Sequence, residues 1–181
     1  MTGGRSVSPE GHERPAWGPL IGTLVFVSVV PASAVLLVPY LLSGWEVQPA
    51  LLGLHVFRWL GLALGLTGSA FFVDFCRRFV VEGRGTPAPI APTEHLVLGG
   101  PFSRVRNPGY LSVLAMVVGQ GLLFGRPILL AYAVGLAVTF HTFVVCYEEP
   151  TLRRRFGAQY AAYCDAVPRW VPRWRTHRAR H

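Results

Sequence analysis

The feature that most limits what this chain can become is a run of 25 residues, Gly18 to Leu42, without one charge. A helix needs about 20 mostly apolar residues to cross a bilayer. A secretory leader is the rival reading, because 32-ASA-34 resembles a cleavage site. However, 35-VLLVPYLL-42 stays apolar beyond it, and the run exceeds the roughly 7–15 apolar residues of a leader. Three more apolar segments come after it. One runs from about His55 to Cys76 around 59-WLGLALGLTGSAFFV-73, with Arg58 at one end and Asp74, Arg77 and Arg78 at the other. Another runs from Tyr110 to Phe124, interrupted by Gln120, and the turn 125-GRP-127 leads into the last, Ile128 to Tyr147. The expected fold is an all-α integral membrane protein with about four transmembrane helices plus a C-terminal amphipathic helix. Residues 1–17 read as a disordered N-terminus, 18–78 as two transmembrane helices, and 79–181 as a loop, a transmembrane hairpin and the amphipathic helix.

Composition supports a membrane. The chain is 51% hydrophobic and 14% charged, where a soluble domain carries about 25% charged residues. All 17 basic residues are arginine, and the net charge is +8. They bracket apolar segments instead of forming a stripe with interleaved aromatics, so the charge points to topology and not to nucleic acid. The loops on one side hold at most Arg58 and Arg126, and the other arginines lie at the N-terminus, in the middle loop or at the C-terminus. By the positive-inside rule these face the cytoplasm. The expectation is a multi-pass protein of the cell (inner) membrane with both termini cytoplasmic. Cys76, Cys146 and Cys164 lack CxxC or Cys/His spacing, so neither a disulfide framework nor a metal site is expected.

The chemistry concentrates in the middle and the tail. Residues 83–108 are rich in Pro and Gly and cannot span lipid, where irregular backbone goes unsatisfied. The embedded 95-HLVL-98 argues for an ordered loop. The loop ends in 101-PFSRVRNPGYLS-112. Arg104 and Arg106 suit phosphates, a carboxylate or lipid headgroups, and Asn107-Pro108 starts the third span. Glu148 and Glu149 stand at the end of the fourth span. Either they are solvated beside Arg153 to Arg155, or one carboxylate binds a ligand hydroxyl or ammonium. His141 lies seven residues before Glu148, about two turns, which puts the two on one helical face. It is either a ligand-side residue or a histidine bonded between helices. Asp74 is expected to pair with Arg77 or Arg78 one turn on. Gly61 and Gly65 form a GxxxG, expected to allow close helix packing. Beyond Pro150, expected to open a new helix, Leu152, Phe156, Tyr160 and Tyr163 share one face.

Singly these signals are unspecific, but their order is not. The series 94-EHLVLGGPFSRVRNPGYLS-112, a hairpin of two spans, then 148-EEPTLRRRFGAQYAAYCDAVPRWVP-172 resembles the isoprenylcysteine carboxyl methyltransferase family, which is related to the phospholipid N-methyltransferases. The resemblance covers roughly residues 80–172. It implies a membrane-embedded methyltransferase using S-adenosylmethionine bound in a cytosol-facing pocket, with a lipophilic acceptor entering from the bilayer. Matched position by position, it places cofactor contacts on His95, Leu96, Val97, Leu98, Phe102, Asn107, Pro108, Gly109, Tyr110 and Glu148. Arg106 joins them as a partner for the cofactor carboxylate. Asn107 stands where eukaryotic members have histidine, and Phe102 where they have tyrosine. Val144 or Val145 stands where they have an acceptor-side arginine, so His141 is the expected substitute. Glu149 is expected to act with it in catalysis.

The acceptor is then a lipid or small molecule bearing a carboxylate, amine or thiol. The arginine-only composition points to a bacterial source and away from a prenylated protein. Two other readings stand beside this one: an NADPH-dependent membrane reductase of the sterol-reductase type, and a non-enzymatic membrane protein retaining the fold.

Overall fold

A computed structural model describes residues 29–81 and 98–173. Residues 1–17, expected to be disordered, the start of the expected first span, residues 18–28, the loop residues 82–97 and residues 174–181 lie outside them. Among the described residues every regular element is helical. Helix α1 covers Val29–Ser43, α2 Val56–Val81, α3 Pro108–Phe124, α4 Pro127–Phe143 and α5 Glu149–Ala166.

Two stretches, Val56–Arg78 and Pro127–Ala166, are long and apolar enough to cross a membrane, while α1 and α3 are apolar but shorter. The 17 residues of α3 reach only about 26 Å, short of a hydrocarbon core of about 30 Å. The outer faces of α2 and α4 carry apolar side chains that the other described residues leave uncovered. Trp59 is 72% exposed and Val134 66%. Such faces suit lipid and not water.

The helix ends follow their sequence. Pro108 and Pro127 stand in the first turns of α3 and α4, where a missing N–H costs nothing. Gly125 takes φ 66° after α3 and accommodates the tight 125-GRP-127 turn.

The bundle is organised by α3, which packs most extensively on α2. One glycine of the GxxxG, Gly61, is needed for the contact inside the chain, whereas a Cβ on Gly65 would meet nothing within 4 Å. A Cβ added to Gly61 would sit 2.6 Å from the Gly119 carbonyl oxygen, and one on Gly119 would sit 2.7 Å from that of Gly61. Two backbones in van der Waals contact leave no room for larger residues. On the other side of α3, Val113 and Val117 pack with Val35 and Ala133 into a core.

Proline also shapes α1. Pro39 has no N–H to give the Val35 carbonyl. A π turn at Ser33–Leu37 sends the Val38 N–H to Ser33 instead of Ala34. Two carbonyls in an apolar helix therefore lose their helical donors. Gln120 Nε2 donates to Val35 at 2.8 Å and Tyr132 OH donates to Ala34 at 3.1 Å. The polar interruption of the third apolar stretch is thus a hydrogen-bond tie between helices.

The expected new helix at Pro150 takes a different form. A π turn at Val144–Glu148, closed by the Glu149 N–H on the Val144 carbonyl, carries α4 straight into α5. The break comes later, at Gly157, whose φ of 51° and ψ of −125° interrupt α5. Leu152 and Phe156 therefore precede the kink, and Tyr160 and Tyr163 lie beyond it. Asp74 bonds to both Arg77 at 3.1 Å and Arg78 at 2.9 Å, one helical turn away.

Candidate functional site

The site lies where the loop before α3 meets the start of α5. Gly100 has φ 56° and begins a short 3₁₀ turn, Gly100–Ser103; a side chain there would overlap the Arg78 guanidinium. The turn buries Phe102 against Phe75, ring centroids 5.8 Å apart. Gly109 lies on the same ring: a Cβ there would sit 2.7 Å from Phe75 Cζ. The Asn107–Tyr110 turn therefore fits directly onto α2.

From behind, the turn is held by the tail. Arg106 N–H donates to the Pro168 carbonyl at 2.9 Å, and Arg173 N–H donates to the Arg104 carbonyl at 3.0 Å. Asn107 Nδ2 donates to the Arg169 carbonyl at 3.1 Å, and Tyr163 OH donates to that of Phe102 at 2.8 Å. Residues 167–173 thus run as a strap along 102–107. Buried between them is a charge cluster. Arg169 grips Glu149 through both nitrogens, at 2.7 and 2.9 Å, and Arg106 Nη1 reaches the same carboxylate at 3.1 Å. The bidentate geometry is the strong form of this pair. The Glu149 hydrogen bonds raise the Arg169 guanidinium above its ordinary value, so it stays charged throughout the accessible range.

In front of the turn is a cavity of about 200 Å³. Phe72, Phe75, Leu136 and Phe140 give it apolar walls. Its polar groups are few: Arg106, Asn107, Tyr110 and Glu148. Tyr110 OH donates to Glu148 Oε2 at 2.8 Å, and its ring lies 4.7 Å from that of Phe140. Arg106 Nε is buried and has no hydrogen-bond partner among the described residues. The Arg106 charge is partly met on the other side, where Nη1 reaches Glu149. The donor set fits an elongated, zwitterionic molecule with an apolar middle. Arg106 matches an anionic group, Glu148 an ammonium or hydroxyls, and the aromatic faces a cation or a heterocycle.

Of the residues expected to bind a cofactor, Phe102, Arg106, Asn107, Pro108, Gly109, Tyr110 and Glu148 line this cavity together. His95, Leu96 and Val97 lie outside the described residues. Leu98 is exposed and not part of the lining. Glu149 is buried behind the wall, closed in by its two arginines. The solvated pair beside Arg153 to Arg155 is therefore not what forms: those three are exposed, and the Glu149 partners come from the loop and the strap. His141 does not share the Glu148 face. The intervening π turn adds about one residue and rotates the next helical segment by about 100°. His141 is exposed, and its Nδ1 accepts from Trp170 Nε1 at 3.1 Å. Sequence reasoning missed Phe72, Phe75, Phe140, Arg169 and Trp170. The repeated 168-PRWVPRW-174 was the available signal for the last two.

Comparison with known proteins decides the family. The phospholipid methyltransferase family model matches residues 56–159, more than half the chain. The chain belongs to this family. It is also 36% identical over 80 residues to protein-S-isoprenylcysteine O-methyltransferase B of Arabidopsis thaliana, a match covering 42% of this chain and 39% of that relative. The chain thus spans well under half the length of the curated relative it matches. No solved structure matches. The family's matched region includes α2, the Asn107–Tyr110 turn, the hairpin and Glu148, which line the cavity together with Val30, Pro31 and Ala34 of α1. Family membership and the exposed apolar helices together make this a membrane protein.

Proposed function

We propose that this protein is an S-adenosylmethionine-dependent methyltransferase of the cell membrane. It would act on a lipophilic or small acceptor bearing a carboxylate, amine or thiol. One observation carries the reading: Arg106, Asn107, Tyr110 and Glu148 together line an apolar, aromatic-walled cavity in a chain of a methyltransferase family. S-adenosylmethionine, when bound, supplies an electrophilic methyl on a sulfonium. Arg106 would pair with its carboxylate, Glu148 with its ammonium or ribose hydroxyls, and Phe102 and Tyr110 would present ring faces to the sulfonium or adenine. His95, Leu96, Val97 and Leu98 would complete the pocket from the loop. Methyl transfer needs alignment and a dry pocket more than acid or base groups. Phe72, Phe75 and Phe140 supply the dryness.

Glu149 acts through Arg106 and is a positioning residue in this reading. His141 contacts Trp170, whose ring lies 6.5 Å from that of Tyr110. We place His141 on the acceptor side on that ground. The topology completes the proposal: four crossings of the inner membrane, both termini cytoplasmic, and the cavity open to the compartment holding soluble cofactors.

The test is calorimetric titration of S-adenosylhomocysteine into the full-length, detergent-purified protein. Micromolar binding that is lost in Glu148→Ala supports the reading. No binding by folded wild type overturns it. For His141→Ala, turnover should disappear while S-adenosylhomocysteine affinity stays unchanged, and normal turnover removes His141 from the site.

A further inference from the structure

The loop and its strap have a second side, turned away from the cavity. There a groove of about 440 Å³ lies between α2, α3 and the strap. Thr67, Gly68 and Phe71 of α2 form one wall, and Leu111 and Ala115 of α3 form the other. The groove exists because the helices touch through small residues. A Cβ on Gly68 would sit 2.9 Å from the Ser112 carbonyl oxygen and 3.1 Å from Ala115 Cβ. With no bulk at the crossing, the larger side chains on either side stand above an open apolar trough.

Two charged residues line it, Arg104 and Arg173, and both are exposed. The backbone bond from Arg173 N–H to the Arg104 carbonyl, 3.0 Å, makes them neighbours across the strap. Among the described residues, no carboxylate lines the groove. Asp74 is engaged with Arg77 and Arg78, and Glu149 with Arg106 and Arg169. The cavity in front of the turn mixes both signs of charge, whereas the charges of this groove are cationic and the rest of its lining is mostly apolar, with Thr67 and Ser112 its uncharged polar residues. Its α2 wall continues into side chains that face lipid: Leu66 is 64% exposed and Val73 67%.

We infer that this groove is a binding site for a phospholipid with an anionic headgroup, separate from the methyl-transfer cavity. The headgroup sits on Arg104 and Arg173, and an acyl chain lies along Phe71 and Leu111. Charge complementarity selects the anion. The apolar lining selects an amphiphile over a free anion, which would leave the trough exposed to water. The groove opens on a membrane helix, so the lipid reaches it without leaving the bilayer. Pro108 lines both groove and cavity, which puts a bound lipid directly behind the turn that forms the cofactor wall.

The test is native mass spectrometry of the full-length protein purified with a mixture of phosphatidylglycerol and phosphatidylcholine. Wild type should retain phosphatidylglycerol at least tenfold over phosphatidylcholine. The surface variant Arg104→Gln/Arg173→Gln should lose that preference at an unchanged melting midpoint. Thr67→Trp, which fills the trough and leaves the charges, should lose phosphatidylglycerol as well. Equal retention of the two lipids by wild type overturns the site, as does an undiminished preference in either folded variant. Displacement of phosphatidylglycerol by millimolar inorganic phosphate would make it a site for soluble anions and also overturn it.

Discussion

Glu148 and Glu149 are neighbours in sequence and opposites in setting. Glu148 faces the cavity and has Tyr110 as its hydrogen-bond donor. Glu149 lies behind the wall and is shared by Arg106 and Arg169. Successive helical residues point about 100° apart, so one helix start serves two regions at once. The cavity region presents a carboxylate held by a neutral hydroxyl, Tyr110 OH on Glu148 Oε2. The cluster region has its carboxylate closed by cations from two other segments. One region is arranged to meet a ligand, the other to hold the chain.

That contrast breaks most sharply at Glu149. Glu149→Ala leaves two arginines near each other without their anion, and breaking a buried pair costs about 3–5 kcal/mol. A large drop in melting midpoint in detergent is expected, and an unchanged midpoint would show that the cluster is not structural. Glu148→Ala should do the reverse. S-adenosylhomocysteine affinity is expected to fall tenfold or more, matching about 1.5–3 kcal/mol for a hydrogen bond to a charged group, with the midpoint little moved. Equal losses of stability in the two variants would erase the distinction. Tyr110→Phe removes a hydroxyl and leaves the carboxylate, so a smaller loss of affinity is expected, about 0.5–1.5 kcal/mol by the same titration. The smallest effect belongs to the opposite end of the bundle. There Arg126 pairs with Glu46 at 2.6 Å, and the Glu46 side chain is 76% exposed. Arg126→Ala should cost less than about 1 kcal/mol of stability and nothing in cofactor affinity.

Much of the frame was readable in the residues. The apolar runs, the 125-GRP-127 turn and Pro108 at a helix start correspond to α2, α3 and α4. The Asp74 pairing came from one-turn spacing, and the close packing of the α2 glycines from their small size. Long-range partnerships were not readable. Arg169 finds Glu149 because residues 167–173 fold back along the loop, and nothing local in 168-PRW-170 specifies that path. Phe72, Phe75 and Phe140 line the cavity, but apolar residues within apolar helices give no contrast with their neighbours. The faces of His141 and Glu148 were assigned with uniform α-helical phase. The π turn at Val144–Glu148 breaks that phase, and nothing in 144-VVCYE-148 announces it.

The π turn also gives a meaning to the doubled glutamate. It works as a phase setter: the five residues Val144–Glu148 fix which side of the adjoining helix looks inward. Removing Glu148, and with it the π turn, would restore regular winding; the two changes of phase cancel, so Glu149 would keep its azimuth against the arginines. The brace would survive, while the cavity would lose its acidic group. The extra residue of the turn is thus what lets one helix start present a carboxylate to a ligand without giving up the one that holds the chain.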